Sequence, residues 1–409
     1  MVNVEQIVAG LDLGTSTIKC VIGVLRAEGR VDVIGTGCHP AVGLQQGAVC
    51  SQDDLVRSIR AAVEEAEMMA GCDISEVALS ISGRHLTSFN STGVVRVAGE
   101  MVTEDDVCRV IDVAMAHRLA GSQRVLHVVP QEFLLDHRGE ITRPTGMHGV
   151  RLEVQAHVVV GDGEAVDRLE DCCRKAGVRV TDVVLAPLAQ AEALLTANSR
   201  EIGVAIIDIG GDTTNLAVFD RGAVIHTAVL PIGGEHIAAD IKDCLNTPSV
   251  EAEHLMQSHG CALAALVDPD QSIELPGVGG RRPRTIKRVE LCEVIEARIE
   301  EILLLVRHEL DHLTHVSALR GGIVLTGGVS NLDGIIELAE QTLEMPVVRG
   351  EPKDLHGLVD VVQHPRYATG TGLVLYGLRE KRQQWFSTRR PIRAQRGWSR
   401  LLSFFNRPL

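Results

Sequence analysis

Residues 207–215, "IDIGGDTTN", run an apolar strand into an aspartate, a pair of glycines, a second aspartate and two threonines. Backbone amides at a glycine-rich turn can cradle a phosphate, which makes the stretch a candidate nucleotide turn. Asp212 complicates that reading, because its carboxylate carries the same sign of charge as phosphate. At a separation of about 4 Å and an effective dielectric near 20, the repulsion is roughly 4 kcal/mol, enough to make tight binding weak. Two outcomes fit the sequence: magnesium or its waters absorb the repulsion, or the side chain points away into solvent. Alone, the stretch also fits a plain glycine β-turn.

The same device occurs earlier in the chain. Residues 8–14, "VAGLDLG", resemble residues 204–210, "VAIIDIG", and each copy is followed by a Thr-rich turn and another apolar strand. In "DLGTSTIK", residues 12–19, Asp12 ends an apolar strand and could hold magnesium through waters, since that ion keeps much of its hydration and takes few carboxylates. Gly14 admits close approach of a phosphate, and Thr15, Ser16 and Thr17 supply hydroxyls. Lys19 either reaches a phosphate or sits on the solvent face of the second strand. A third glycine element, "GIVLTGGVSNLDG" at 322–334, ends an apolar strand in Gly327-Gly328, where a flat base or ribose can lie against backbone. Ser330-Asn331 is placed to cap the helix that follows. No G-x-x-x-x-G-K-[ST] occurs, which excludes a P-loop. Three such elements in order outweigh the bland reading that each has alone.

Length and composition agree with a multidomain soluble protein. The 409 residues allow roughly two to three domains at about 150 residues each, and 45% hydrophobic content supplies their cores. No apolar run approaches a membrane span, and the N-terminus lacks the features of a signal peptide, so the expected compartment is the cytosol. The ten cysteines show no Cys-x-x-Cys pair and read as reduced core thiols. His308, His312 and His315 have a spacing that could hold a metal, but interleaved with a Leu-rich stripe they read as solvent-facing.

Short β-branched runs alternate with helical stretches at 53–70, 104–120, 164–176 and 289–314, the pattern of layered α/β architecture. The repeated strand-turn-strand device predicts two related halves facing each other. Between them, a strand-rich section over 84–162 reads as an inserted small domain, with one helix whose start at Thr103-Glu104-Asp105-Asp106 combines a cap with acids on the first turn.

The order Asp-x-Gly-Thr, Asp-x-Gly-Gly, Thr-Gly-Gly resembles the superfamily of actin, sugar kinases and Hsp70 chaperones, in which ATP lies in a cleft between two like domains. Within it, "RVLHVVPQEFLLD", "GVRLEVQAHVVVG", "HGCAL", "VGGRRPRTIKR", "LCEVIEARIEEILLLV" and "GIVLTGG" resemble the bacterial cell-division actin homologues of the FtsA family, from about residue 7 to the end. The resemblance implies an α/β, duplicated actin-like (ribonuclease H-like) fold: subdomain 1A at 1–83 and 163–200, a small α+β subdomain 1C at 84–162, 2A at 201–235 and 320–380, 2B at 236–319, a flexible linker at 381–394 and an amphipathic helix at 395–409. It implies that Asp12, Gly14, Thr15 and Ser16 form the first phosphate loop, Asp208, Gly210, Gly211 and Thr213 the second, with Asp212 and Lys19 beside them, and Gly327 and Gly328 the adenosine loop. ATP and Mg2+ are the implied cofactors, with Asp12 and Asp208 holding the ion through waters. Gln190 matches the helix that in actins carries a polar residue near the attacking water; an uncharged amide orients water but is a poor base, so hydrolysis should be slow at most. An ordinary exposed helix Gln is the alternative. Related hairpins often place glycine where Asp212 stands and aspartate where Asn215 stands.

The C-terminus obeys different rules from the body. Residues 379–409 hold nine Arg or Lys and one acid, so the tail is +8 and the rest −22, and they contain both tryptophans. In "RGWSRLLSFFNRPL", Trp398, Leu401, Leu402 and Phe405 recur at helical spacing with Phe404 at the border and Arg396, Arg400 and Arg407 as basic flanks. The pattern predicts a helix in a membrane interface, with arginines drawn to anionic lipid; docking on the protein's own core is the alternative. The family resemblance implies the same, at the cytoplasmic face of the cell membrane at the division site. The basic run "RRPRTIKR" supplies Arg281, Arg282, Arg284, Lys287 and Arg288 as a candidate surface for an acidic partner; an acidic body with no aromatics among these charges argues against nucleic acid. By resemblance, 2B receives the C-terminal tail of FtsZ. The function implied is an ATP-binding adaptor that polymerises with itself, tethers FtsZ filaments to the membrane in the Z ring and recruits later division proteins. The alternatives are a small-molecule kinase of the same superfamily, for which no catalytic carboxylate is assignable, and a pilus-assembly adaptor, which shares the 1C insertion.

Overall fold

The computed structural model describes residues 6–26, 30–116, 121–275, 283–313 and 319–387. The first half is built on a six-stranded sheet in the order Arg179–Leu185, Glu76–Ile81, Gln6–Leu13, Thr17–Leu25, Val31–Pro40, His356–Gly357. The second half repeats the scheme in the order Ala223–Leu230, Thr214–Asp220, Val204–Ile209, Ile323–Thr326, Val347–Arg349. In each sheet the hairpin pairs antiparallel while the strand on its other flank pairs parallel. Strands covered on both faces need continuous apolar sequence, which is why "VAIIDI" is buried at every position.

Strand parity sets the site. Successive side chains point to opposite faces, so Leu11, Ile18 and Ile22 join the core under helix Gln52–Ala70, while Val8 and Val21 meet Val374 of helix Ala368–Ser387. Asp12 shares the second face. In the other half, Ile207 and Ile209 join the core beneath helix Arg288–Asp311, whereas Val204 and Ile206 pack toward the first half. Asp208 shares that inward face. Between the sheets, helices Ala186–Leu194 and Ala368–Ser387 cross so closely that a Cβ at Gly372 would overlap the Ala189 carbonyl.

The inserted section forms its own sheet, in the order Leu86–Arg96, Arg151–Asp162, Gln123–Leu135, Arg138–Ile141, covered by helix Glu104–Ala116. At that helix start, Thr103 Oγ1 accepts from the Asp106 amide at 3.2 Å, while the Asp106 carboxylate accepts from the Thr103 amide at 2.9 Å and its hydroxyl at 2.7 Å. The insert touches both halves. His127 Nε2 accepts from the Leu185 amide at 2.9 Å in the first sheet. Across the other interface, Ser88 Oγ donates to Thr227 O (2.8 Å), Asn90 Nδ2 to Ile225 O (3.2 Å) and Gln131 Nε2 to Val224 O (3.2 Å). These donors cover an edge strand of the second sheet, which would otherwise present unpaired carbonyls. His157 completes the interface: its Nδ1 lies 2.8 Å from Asn90 Oδ1, which only accepts, so Nδ1 donates and Nε2 takes the Thr227 hydroxyl at 2.9 Å.

Several expectations change in detail. The helix after the adenosine loop starts at Ile335 behind Gly334, whose φ is +75°; Ser330 Oγ instead donates to Gly327 O at 2.7 Å within a 3-10 turn. The last long helix continues through Ser387, so residues 381–387 of the expected linker are helical; residues 388–394 and the amphipathic segment 395–409 lie outside the described residues. Cys50 and Cys244 are exposed rather than core thiols. His308 and His312 are exposed neighbours, 3.0 Å apart, and His315 lies outside the described residues. Among the described residues no group of three metal-ligating side chains occurs, and no helix is long and apolar enough to cross a membrane.

Burial holds the His127 imidazole down to about 4; burial, then the neighbouring His226 and His127, hold His157 down to about 3. An unfolded histidine titrates near 6.5. Between that value and the depressed ones, the unfolded chain binds protons that the folded chain does not, so stability falls as pH drops from about 6.5 toward 4. His127→Gln, which keeps an acceptor for the Leu185 amide, should lose less stability than the natural protein between pH 7.5 and 5, read as the shift in urea midpoint.

Candidate nucleotide cleft

A cleft of about 690 Å³ opens between the two halves, within the range of small-molecule sites. Asp12, Gly14, Thr15, Ser16 and Lys19 line it from the first hairpin, Asp208, Gly210, Gly211 and Thr213 from the second, and Gly327 and Gly328 from the third glycine element, with Gln190 between them. The structure thus brings these residues to one place from four separate segments. Asp212 alone of the expected cleft residues is not part of the lining.

The turns meet tip to tip. A Cβ at Gly211 would overlap Ser16 Oγ and press on the Ser16 amide, so a side chain there would require Ser16 to turn away and the first turn to give slightly. Gly327 has φ +91° and faces the Asp208 carboxylate so closely that only glycine satisfies both the backbone and the space. The Gly210 amide closes the second turn on Thr213 O at 2.9 Å, and the amides of Gly234 and Glu235 donate back to Gly210 O and Gly211 O at 2.9 and 2.7 Å. Helix Gly234–Leu245 therefore starts against the turn.

Each inward carboxylate has its own partners. Asp12 Oδ2 pairs with Lys19 Nζ at 3.2 Å, and Asp12 Oδ1 accepts from Ser80 Oγ at 2.8 Å. Lys19 is buried, which removes the solvent-facing alternative. Asp208 Oδ2 accepts from Gln190 Nε2 at 2.7 Å and Asn215 Nδ2 at 3.1 Å. Asn215 Oδ1 in turn accepts from Ser82 Oγ. One amide thus serves a carboxylate and a hydroxyl, where an aspartate would repel Asp208. Gln190 is 1% exposed, not a surface residue. Its Nε2 also donates to Thr369 Oγ1 at 2.9 Å, and its buried Oε1 has no hydrogen-bond partner.

Asp212 corrects the solvent-facing reading. At 4% exposure it does not point into solvent, and its carboxylate turns out of the cleft, where Oδ2 accepts from the Gln46 amide at 2.5 Å. The sequence reading also missed residues. Ser80 and Ser82 sit at and just past the end of a parallel strand, the end at which open α/β sheets place ligand groups. Glu235, Lys242, Glu253 and Gln257 come from two helices whose turn toward the cleft has no local signature.

The family model for "Cell division protein FtsA" matches residues 205–372, and that for the SHS2 domain inserted in FtsA matches 83–160. The chain is 42% identical to the cell division protein FtsA of Pseudomonas aeruginosa over 92% of this chain and 90% of that one. The chain belongs to the FtsA family. Other FtsA relatives agree: 37% identity to the Escherichia coli K12 protein over 91% of this chain and 90% of that one, and 35% to the Bacillus subtilis protein over 93% and 86%. Among solved structures, the PilM-PilN type IV pilus biogenesis complex aligns at TM-score 0.66 and 18% identity, over 91% of this chain and 98% of that one. MreB5 of Spiroplasma citri bound to AMPPNP aligns at TM-score 0.58 and 15% identity, over 93% and 99%. At these identities the two share the actin-like fold. This FtsA chain is therefore an actin-like cell-division protein.

Burial raises the Asp208 carboxyl above the usual range and the Asp12 carboxylate adds to it, while Gln190, Asn215 and Lys19 pull the other way. With its folded value raised, Asp208 holds a proton that the unfolded chain has lost, so its contribution to stability falls as pH rises from its unfolded value through its folded one. Asp208→Asn keeps an acceptor for both amides and removes that loss. The variant should unfold at higher urea than the natural protein at pH 7.5 in the absence of nucleotide, with the gap closing toward pH 4.

Proposed function

We propose that the chain is an ATP-binding adaptor that assembles with copies of itself, holds FtsZ filaments to the cytoplasmic face of the cell membrane at the division site and recruits later division proteins. The observation that carries it is the cleft itself: two facing glycine turns and a third glycine element converge in an FtsA-family chain. Gly14, Thr15, Ser16, Gly210, Gly211 and Thr213 take the phosphates, Lys19 reaches them from Asp12, and Gly327 and Gly328 lie against the adenosine. The donor set fits a hydrated magnesium ion, because Asp12 and Asp208 are hard oxygen ligands that line one cleft from opposite sides. When bound, that ion supplies positive charge against the phosphate oxygens.

Gln190 serves as a water-positioning residue. Its amide nitrogen is spent on Asp208 and Thr369, which aims the unpartnered Oε1 and leaves it to accept a water's hydrogen. It cannot remove a proton at neutral pH, so hydrolysis is feeble and the nucleotide acts mainly as a switch for assembly.

Of the basic run, Arg284 donates to Leu245 O, Lys287 to Asp270, and Arg288 to His259 O at 2.8 Å and Gln271 Oε1 at 3.0 Å. Arg284 and Arg288 therefore tie their own subdomain together, and Lys287, whose pair is exposed and 3.5 Å long, remains the better candidate for the FtsZ tail. Arg281 and Arg282 lie outside the described residues. The membrane contact rests on the aromatic and basic tail sequence.

Calorimetric titration should show ATP binding that weakens at least tenfold when magnesium is chelated; equal affinity with and without the ion would remove magnesium from the site. Sedimentation with anionic vesicles should carry down the full chain and lose it when residues 395–409 are deleted. Equal binding by both chains would defeat the membrane role of the tail.

A further inference from the structure

The Asp212 side chain takes no part in the cleft lining, although its neighbours on both sides do. It leaves the second turn, crosses to the first half and accepts the Gln46 amide, 166 positions away, at 2.5 Å. Gln46 is well placed to be a fixed donor. It lies between the short paired strands Leu44–Gln45 and Ala48–Val49 with φ +47°, a left-handed conformation that few side chains adopt. Beside it, Gly47 has φ +76° and packs so tightly on Ser82 that a Cβ would overlap the Ser82 carbonyl oxygen. The turn is therefore clamped to the end of the first sheet, and its amide is presented across the gap.

We infer that Asp212 is a positioning residue that latches the two halves of the cleft together, rather than a ligand of phosphate or cation. The backbone of the same residue makes a second crossing bond, from its amide to Thr15 Oγ1 at 3.1 Å. Two neighbours cross as well: Ser82 Oγ donates to Asn215 Oδ1, and Ser16 Oγ to Glu235 Oε1 at 3.4 Å. Asp212 thus sits in a row of polar links between the turns, and among them only its side chain joins a carboxylate to a backbone amide, a charge-assisted bond of the stronger kind.

The latch is also built to release. Asp212 Oδ1 is buried without a hydrogen-bond partner, and the neighbouring Glu235 carboxyl is raised by partial desolvation and by the Asp212 charge. Separation of the halves returns Asp212 to water and relieves both penalties, so the closed state is held by one strong bond against an opposing cost. Glycine at this position would remove the latch and leave the turn intact. In this chain, then, the rate at which the cleft opens is set in part by a residue that never touches the bound molecule. That last statement rests on the nucleotide reading of the cleft; the latch itself does not.

The test uses full-length protein in three forms: natural, Asp212→Ala and Asp212→Asn, with Asp212→Gly in place of the alanine chain should that not fold. Hydrogen exchange of the Gln46 amide, followed by mass spectrometry without nucleotide, reads the latch directly. Release of a fluorescent ATP analogue in excess magnesium reads its consequence. Removing a charged partner from a buried hydrogen bond shifts an opening equilibrium by about tenfold or more. Asp212→Ala should therefore exchange Gln46 and release the analogue at least tenfold faster, and Asp212→Asn, which keeps an acceptor oxygen without the charge, should fall between Asp212→Ala and the natural protein with unchanged magnesium dependence. Equal Gln46 protection in all three forms would overturn the latch, and so would a changed magnesium requirement in Asp212→Asn, which would make the carboxylate a cation ligand. Should the natural protein fail to bind the analogue, the nucleotide reading falls, while Gln46 exchange still decides the latch.

Discussion

Close approach of two hairpin turns is the constraint on which the rest of the molecule depends. Gly211 packs directly on Ser16 and Thr15, and the groups between the two sheets fit the separation that this contact accompanies. The crossing helices meet it through Gly372 against the Ala189 carbonyl. The inward aspartates meet it through strand parity, because a one-residue shift in either hairpin would turn Asp12 or Asp208 into a hydrophobic core. Duplication of one sheet scheme makes the arrangement possible, since each half presents the same edge, the same turn and the same acid to its counterpart.

The polar interior between the halves is nearly self-satisfied, and the exceptions are informative. Lys19, Ser80, Gln190 and Asn215 supply donors to two buried carboxylates, and Thr369 accepts the second Gln190 amide hydrogen. Buried polar groups normally find partners, so the orphaned Gln190 Oε1 and Asp212 Oδ1 mark the places where the cleft is arranged for something other than the stability of the isolated chain. The raised Asp208 carboxyl shows the same trade in electrostatic form: it weakens the fold at neutral pH and places an acid where a cation would be welcomed.

Much of this was legible in the sequence because it is carried by local, repeated signals. Asp-x-Gly followed by hydroxyl residues, twice and in register, specifies the turns and hence the paired halves. The strand-rich middle section announces a sheet of its own. Contacts between distant segments were not legible. Asp212 looked like a charge in a phosphate turn because its partner lies on a hairpin in the other half of the chain. A polar Gln190 at helical spacing also fits an exposed position, although its helix, "APLAQAEAL", is apolar on nearly every side and buried at all but one position; a helix without a polar face belongs in a core. The linker expected from 381 begins as helix for a simpler reason: "KRQQWFS" contains no Gly or Pro to stop the preceding helix, and the proline comes only at 391.

That last helix starts beside Gln190, through Thr369, and runs without interruption to Ser387. From the crossing at Gly372 to its end is about 23 Å at the helical rise per residue. A rotation of about 10° at the crossing would swing the far end by roughly 4 Å. The helix is in effect a lever arm whose tight crossing lies at Gly372, so a small change in the angle between the halves would be magnified at Ser387.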